Sequence, residues 1–304
     1  MNARNHAAKS RKRRPDWAVR TAALFLLALF AMAVIGPELF PEDKRDVSEA
    51  QFVRPSGDHL LGTDLNGRDL FYRLLIGARV SLIVGVAGAL VSLFIGVTYG
   101  LVSGYCGGQV DRIMMRMVDV LYSVPRLIFI LILVNVFDDP FQKWLFNLLK
   151  GGPLEEAARY SKILLMIFAL GFIEWLTMAR IIRGQVLVLK EAIFVQAARA
   201  LGQNHFGIFL RHLLPNLRGL ILVYLTLIIP TVIIDESFIS FLGLGLDATQ
   251  SSWGVLLKEG AQAINPIDVY WWLLIFPALT LTGTLLALNT IGESLRERHK
   301  TGST

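Results

Sequence analysis

Six long apolar runs constrain this chain more than any other feature of its sequence. They cover approximately residues 17–40, 77–104, 111–137, 161–183, 219–246 and 270–292, and within each run the apolar residues are continuous rather than alternating. A bilayer core of about 30 Å is crossed by roughly 20 apolar residues in a helix, which satisfies its own backbone hydrogen bonds. The runs therefore predict an all-α membrane protein with six transmembrane helices, and not a β-barrel, whose strands alternate.

Composition agrees with a membrane protein, and the charge pattern predicts its orientation. Hydrophobic residues make up 54% of the chain and charged residues 18%, and the mean hydropathy is +0.54. Residues 1–20 contain seven Lys or Arg and one Asp. The positive-inside rule places this basic segment in the cytoplasm, and six crossings would return the carboxyl terminus to the same side. No aromatic or fold context favours a nucleic-acid role for the segment.

These boundaries divide the chain into segments along its length. They are a basic cytoplasmic tail (1–16), the first transmembrane helix (17–40), an external connector (41–76), a five-helix core (77–292) that includes a cytoplasmic loop (184–218), and a cytoplasmic tail (293–304).

The connector contains GTDLNGRD (62–69), which has the GxxxxG spacing of a phosphate-binding loop. Arg68 and Asp69 stand where that motif needs Lys and Ser or Thr, and no buried strand precedes Gly62. We therefore predict a turn at Gly62 and an amino-terminal helix cap near Asn66 or Asp69.

Small residues recur every four positions in the second run, at Ser92, Gly96, Gly100 and Gly104. This spacing places them on one helix face, where another helix can approach closely. We interpret the stripe as a helix-packing face; a flexible face that lines a cavity is the alternative.

Ionisable residues inside the predicted spans allow two interpretations. Such groups cost a few kcal/mol each in lipid and normally face a bundle interior or a wet cavity. In the first interpretation, Glu174, Asp235 or Glu236 lines a translocation path for a cargo with a cationic amine. In the second, which we favour, Arg126 pairs with Glu174 while Asp235 and Glu236 lie near the outer interface and stay hydrated.

The loop at 184–218 is charged and interrupted by glycine between two apolar runs. Phe194, Ala197 or Ala198, and Leu201 fall at helical spacing, which predicts a short amphipathic helix that stops at Gly202. Asn204 predicts the cap of a second helix that ends at Pro215. Two short helices that meet at a glycine would form a compact projection with one apolar side, which suits a groove on a partner.

This loop resembles the signature of ABC importer permeases. The pattern is EAA, three residues, Gly, nine residues, Ile, one residue and Leu-Pro, and it maps onto Gln196-Ala197-Ala198, Gly202, His212 and Leu214-Pro215. The spacing is kept throughout, and two positions depart from the pattern, because Gln196 replaces the Glu and His212 replaces the Ile.

Three other stretches resemble the peptide-type importer permeases, specifically the second of their two membrane subunits. They are HLLGTDLNGRDLFYRLLIGARVSL (59–82), SGYCGGQVDRIMMRMVDVLYSVP (103–125) and ESFISFLGLGLDATQSSWG (236–254). The resemblance covers roughly 60–300, and the segment 138–160 is longer than we expect from it. It implies the type I ABC importer permease fold in a bacterial inner membrane.

The resemblance also implies a mechanism and a set of partners. A second homologous permease would pair with this chain, and two cytosolic ATP-binding subunits would dock beneath. A binding protein, either periplasmic or extracellular and lipid-anchored, would deliver oligopeptides or dipeptides. ATP and Mg would bind the partners, with no cofactor on this chain. The loop would be the coupling helix, and the residues assigned to the ATPase contact are Glu191, Phe194, Gln196, Ala197, Ala198, Leu201, Gly202, His205, Leu214 and Pro215.

Other functions find less support in the sequence. The chain has no HExxH or GxSxG motif, and its five His residues are scattered, so neither a metal site nor an intramembrane enzyme is expected. A channel or stand-alone carrier is the other alternative, and it would show transport in reconstituted vesicles without any ATPase. A purely structural membrane protein would not explain the loop. The sequence does not identify the cargo, because the same machinery also serves nickel complexes and other small solutes.

Overall fold

The computed structural model describes residues 15–40, 47–149, 154–246, 251–264 and 268–301. Within these ranges the chain is helical, and its only β-structure is two isolated bridges. The helices are α1 (Asp16–Leu39), α2 (Leu70–Cys106), α3 (Gly108–Ser123), α4 (Arg126–Leu149), α5 (Leu154–Leu189), α6 (Ile193–Ala200), α7 (His205–Ile208), α8 (Leu214–Phe241), α9 (Trp253–Gln262) and α10 (Trp272–Thr301). The predicted basic tail lies outside the described residues except for its last two.

Among the described residues, five helical segments are long and apolar enough to cross a membrane. They are 16–39, 70–106, 161–189, 205–241 and 272–298, and they correspond in order to five of the six predicted runs. The remaining run, 111–137, differs from its prediction.

The third apolar run is two helices instead of one. α3 and α4 meet at Val124 and Pro125 with an angle of 87° between them. Val124 is extended (φ −82°, ψ 129°), because the ring of a following proline disfavours the helical conformation. The prediction of one continuous helix over this run is wrong, and the break falls at Pro125, as expected for a proline inside an apolar run. α4 then continues to Leu149 and α5 begins at Leu154, so the described residues of the 138–160 segment belong to these two helices.

The core lies along α2 and α5, which pack against each other more extensively than any other pair within the described ranges. α8 packs against α2 and α10, and α4 packs against α5. Fully enclosed apolar side chains at this centre include Met166, Leu170, Met178 and Ile182. α1 is peripheral and exposes Leu24 and Leu27, as expected for side chains that face lipid.

The connector at 47–69 is folded onto the start of α2. Gly62 has a positive φ of 81°, and the Asp69 carboxylate caps α2 by accepting the Phe71 N–H at 2.9 Å. The predicted turn and cap are therefore confirmed. Arg73, near the start of α2, binds Asp64 of the connector at 2.7 Å and also Glu259 of α9. This network ties connector, α2 and α9 together at one end of the bundle.

The first turn of α1 and the last turns of α10 lie together at the other end. Arg298 of α10 is 3.7 Å from Asp16 of α1, and the far part of α1 approaches the start of α2, where Arg79 donates to the Ala33 carbonyl at 3.0 Å.

Candidate functional site

The segment between α5 and α8, residues 190–213, is called the α5–α8 loop here. It consists of α6, a glycine turn, α7 and a π-helical turn, Phe209–Leu213. Gly202 has φ +77° and its N–H donates to the Arg199 carbonyl at 2.9 Å, in a left-handed cap that favours glycine. The Asn204 side chain accepts the Gly207 N–H at 2.7 Å. The predicted stop at Gly202 and the cap at Asn204 are confirmed.

The loop has an inner and an outer side. Val195 and Ala198 point inward and are buried with the main apolar core, Ala198 being 7% exposed. The outer side is apolar and exposed, and we call it the loop face: Ile193, Phe194, Ala197, Leu201 and Phe206. Ile193 and Leu201 are each 86% exposed. Ala198, one of the residues assigned to the ATPase contact, packs on its own bundle, and its contact with a partner stays a prediction.

Tyr105, in the last turn of α2, holds the loop against the bundle. Its hydroxyl is hydrogen-bonded to His205 Nδ1 at 2.9 Å. The Arg199 guanidinium lies over its ring at 4.7 Å from the centroid, and the Phe209 ring meets it edge-on at 4.7 Å. His205, predicted as a coupling residue, is therefore engaged with α2 on one side.

Other residues of the predicted signature make local contacts. The Gln196 side chain donates to the Glu191 carbonyl at 3.1 Å, which fixes the entry into α6. His212, at the position of the family's Ile, is hydrogen-bonded through Nε2 to Gln203 Oε1 at 2.7 Å. Both polar departures from the signature thus find partners within the loop.

No helix ends at Pro215. The Leu214 N–H bonds the Phe209 carbonyl five residues back, and α7, the π-helical turn and α8 form one helical segment over 205–241. A proline in the first turn of α8 lacks an N–H, and the wider turn before it adjusts the hydrogen-bond ladder without breaking the helix. The predicted end at Pro215 is wrong, and the loop is continuous with α8.

An ion cluster joins three helices beside the break between α3 and α4. Arg126, the first residue of α4, binds Glu174 of α5 at 2.9 Å and also binds Asp235 of α8. The Arg126 side chain is 38% exposed, whereas both carboxylates are nearly buried. The predicted pair of Arg126 and Glu174 is present, but Asp235 is not a hydrated residue of the interface.

Glu236 is completely buried in a cage of serine hydroxyls, so the prediction that it stays hydrated is also wrong. Ser81 of α2 and Ser240 each donate to its carboxyl at 2.9 Å, and Ser237 lies at 3.3 Å. Ser81 also accepts the Trp253 N–H at 3.3 Å. Glu236 therefore connects α8 to α2 close to the start of α9.

The small-residue stripe of α2 faces α5. A Cβ atom added at Gly96 would lie 2.5 Å from Met178 Cβ, and one at Gly100 would lie 2.6 Å from the Ala179 carbonyl oxygen. At Gly104 it would lie 2.9 Å from the Arg183 carbonyl oxygen, and Ser92 is fully buried. The helices are too close here for larger side chains.

A second ionic contact, which lies at the end of the bundle that carries the α5–α8 loop, was not predicted. Arg183 of α5 binds both carboxylate oxygens of Asp111 on α3 at 2.5 Å, and the Ser103 hydroxyl of α2 donates to Asp111 at 2.6 Å. Ser103, Tyr105 and Asp111 all lie in the stretch SGYCGGQVD.

Over the described ranges, no three His, Cys, Asp or Glu side chains are grouped so that they could hold a metal ion.

Comparison with known proteins supplies the context for this geometry. The family model described as "Binding-protein-dependent transport system inner membrane component" matches residues 96–300. An oligopeptide transport system permease protein of Escherichia coli (strain K12) is 42% identical over 280 residues, which is 91% of this chain and 84% of that protein. A dipeptide transport system permease protein of Bacillus subtilis (strain 168) is 43% identical over 279 residues, 91% of this chain and 79% of that protein. A glutathione transport system permease protein of Escherichia coli O6:K15:H31 (strain 536 / UPEC) is 35% identical over 279 residues, 91% and 84% of the two chains.

Proposed function

Because this chain belongs to the binding-protein-dependent transport system inner membrane components, we propose that it is a permease subunit of an ATP-driven importer of oligopeptides or dipeptides. In this proposal the cargo crosses by alternating access between an outward-open and an inward-open state. The similarity to oligopeptide and dipeptide permeases over nine-tenths of the chain supports this cargo class.

The observation that supports the proposal best is the exposed loop face. Ile193, Leu201 and Phe206 present large apolar side chains to solvent on a loop whose inner side is packed onto the bundle. An apolar patch of this kind in water is typical of a protein interaction site, and a short helix that lays its apolar face into a groove is a common recognition mode. We assign the groove to a cytosolic ATPase subunit, which supplies the driving force by contact.

The continuity of the helix suggests how movement of the loop reaches the membrane. The segment 205–241 contains 37 residues, which corresponds to about 55 Å of helix. It begins in the α5–α8 loop and includes Asp235, which is bound to Arg126 at the break between α3 and α4. A tilt of this segment would therefore displace the ion cluster, where Glu174, Asp235 and, less directly, Glu236 remain candidates for the translocation path.

The partners follow from the same proposal. This chain would pair with a second homologous permease, dock two ATP-binding subunits that hold ATP and Mg, and receive cargo from an external binding protein. It would itself be non-catalytic, with six spans in a bacterial inner membrane and both termini in the cytoplasm. The relative with a glutathione transport name supports that small peptide as a second candidate cargo.

Replacement of Leu201 by Asp tests the docking role. A charge in the centre of the loop face should oppose burial in an apolar groove, and we expect peptide uptake and ATPase co-purification to fall at least about tenfold. Leu201→Met keeps an apolar side chain of similar volume and should retain both. Ala198→Asp is a poorer test, because it places a charge in this chain's own core.

The measurement is peptide uptake into vesicles that contain the complete importer, with the amount of inserted chain quantified separately. Normal uptake and ATPase recovery with Leu201→Asp at normal insertion would contradict the docking role of the loop face.

A further inference from the structure

Tyr105 lies outside the α5–α8 loop and outside the importer signature, yet it contacts three separate parts of that loop. Arg199 comes from the end of α6, His205 begins α7, and Phe209 begins the π-helical turn. Tyr105 itself is in the last turn of α2 and is buried. The loop is therefore gathered around one side chain that belongs to a different transmembrane helix.

The three contacts differ in chemistry and together fix the ring. The hydroxyl is hydrogen-bonded to His205 at 2.9 Å, the ring face receives the Arg199 guanidinium, and the ring also meets Phe209 edge-on. A hydrogen bond, a cation–π contact and an aromatic pair each have a preferred geometry. A displacement of the loop relative to α2 would disturb all of them.

Next to Tyr105 along the chain, α2 is packed closely against α5. Gly100 and Gly104 bring the backbones of the two helices into close contact. Ser103 and Arg183 are further linked through Asp111. A force applied at Tyr105 therefore acts on α2 and α5 as one packed unit.

We infer that Tyr105 is a positioning residue that transmits movement of the α5–α8 loop to the packed pair of α2 and α5. The inference rests on the proposed docking of the loop face to an ATPase. The loop then acts on the membrane helices by two routes, through its continuous connection to α8 and through Tyr105 to α2. Without the second route, ATP would still be hydrolysed, but fewer closures would reorient the bundle.

The test is the ratio of peptide imported to ATP hydrolysed, measured together in vesicles that contain the complete importer. Tyr105→Phe removes the hydrogen bond to His205 and keeps the ring, and we expect the ratio to fall about fivefold, which is the usual effect of one lost hydrogen bond. Tyr105→Leu removes all three contacts and should lower the ratio further. His205→Ala should reproduce Tyr105→Phe, and the double variant should be no worse than either single variant.

Tyr99→Phe is the matched control, because the Tyr99 hydroxyl lies on the same helix and donates to the Met114 carbonyl at 2.8 Å, away from the loop. Its ratio should equal that of the unchanged importer. A purely structural role for Tyr105 would lower import and hydrolysis in proportion and leave the ratio unchanged. That result in Tyr105→Phe, Tyr105→Leu and His205→Ala would overturn the inference. An unchanged importer that showed no ATP-dependent import of any peptide would instead contradict the proposed function.

Discussion

Arg126 illustrates how much a single ionisable residue depends on its neighbours in this bundle. It is the cation shared by two nearly buried carboxylates on separate helices, Glu174 on α5 and Asp235 on α8. Carboxylates removed from water are costly unless they are paired. One arginine at the start of α4 therefore stabilises the positions of α4, α5 and α8 relative to one another.

Arg126→Gln should be more damaging than Asp235→Asn. The first change leaves two carboxylates without a cation, whereas the second leaves Arg126 paired with Glu174. We expect a difference of about 1–3 kcal/mol in stability, reduced from the fully buried case because Arg126 is partly exposed. Thermal unfolding of the purified chain in detergent measures this difference.

The double variant Arg126→Gln with Asp235→Asn should recover part of the stability lost in Arg126→Gln, because one uncompensated carboxylate is removed. Equal stability of the two single variants would argue against a shared cation. Uptake with Glu174→Gln separates the structural from the transport role, since unchanged import would remove Glu174 from the translocation path.

At the scale of the helices, the contact between α2 and α5 depends on the absence of side chains. In the stripe at Ser92, Gly96, Gly100 and Gly104, the three glycines allow the backbones to approach until a single added carbon would overlap the opposing chain. Dispersion and packing replace the hydrophobic effect as the force between helices in lipid. A close, extended contact of this kind stabilises the pair as a unit.

Gly100→Ala should destabilise the chain, and Gly184→Ala should not. The new Cβ at Gly100 would lie 2.6 Å from the Ala179 carbonyl oxygen, an atom of the backbone that cannot move aside. We expect a cost of about 1–3 kcal/mol from overpacking. Gly184 on α5 has nothing within 4 Å of the corresponding position, and alanine there should stabilise the helix by roughly 0.5–1 kcal/mol.

Thermal unfolding in detergent, compared between the two alanine variants, provides the measurement. A loss of stability that is the same at both positions would mean that the stripe does not set the distance between the helices.

For the whole molecule, the two ends of the helix bundle are held by different contacts. The connector, the start of α2 and α9 are linked by ion pairs at one end, while Tyr105 binds the α5–α8 loop at the other. The residues from Leu70 to Tyr105 form about 50 Å of helix between these ends. That length exceeds the hydrocarbon core of a bilayer, so we expect the two ends to reach the aqueous phases on opposite sides of the membrane.

Single cysteines at Leu60 and Leu201 should react from opposite sides of the membrane. Both leucines are exposed, Leu60 in the connector and Leu201 on the loop face. With the native Cys106 replaced by Ser, a membrane-impermeant thiol reagent should label Leu60→Cys in intact cells and Leu201→Cys only after the membrane is opened. The experiment uses cells without the ATPase subunits, so that no partner covers the loop face. Labelling of both cysteines from outside would refute the proposed topology.

Much of the fold was predictable because its signals are local. Five spans follow from apolar runs of sufficient length, and the cap at Asp69 and the turn at Gly202 follow from residue types that favour those backbone conformations. The third run was predicted as one helix because its length alone does not show that α3 ends and α4 begins at Val124 and Pro125, with an angle of 87° between them. The end predicted at Pro215 is also wrong, because the π-helical turn just before this proline keeps the helix continuous.

The sequence by itself determined that the chain crosses a membrane, where its turns lie and which segment forms the loop, because chain length, hydropathy and turn chemistry act between neighbouring residues. Only the tertiary structure decided that Ala198 packs inward, that Arg126 binds Asp235 as well as Glu174, that Glu236 is enclosed by serines and that Tyr105 holds the loop. Those outcomes depend on which faces of distant helices meet, and adjacent residues do not specify the partner that a buried charge or a small side chain will find.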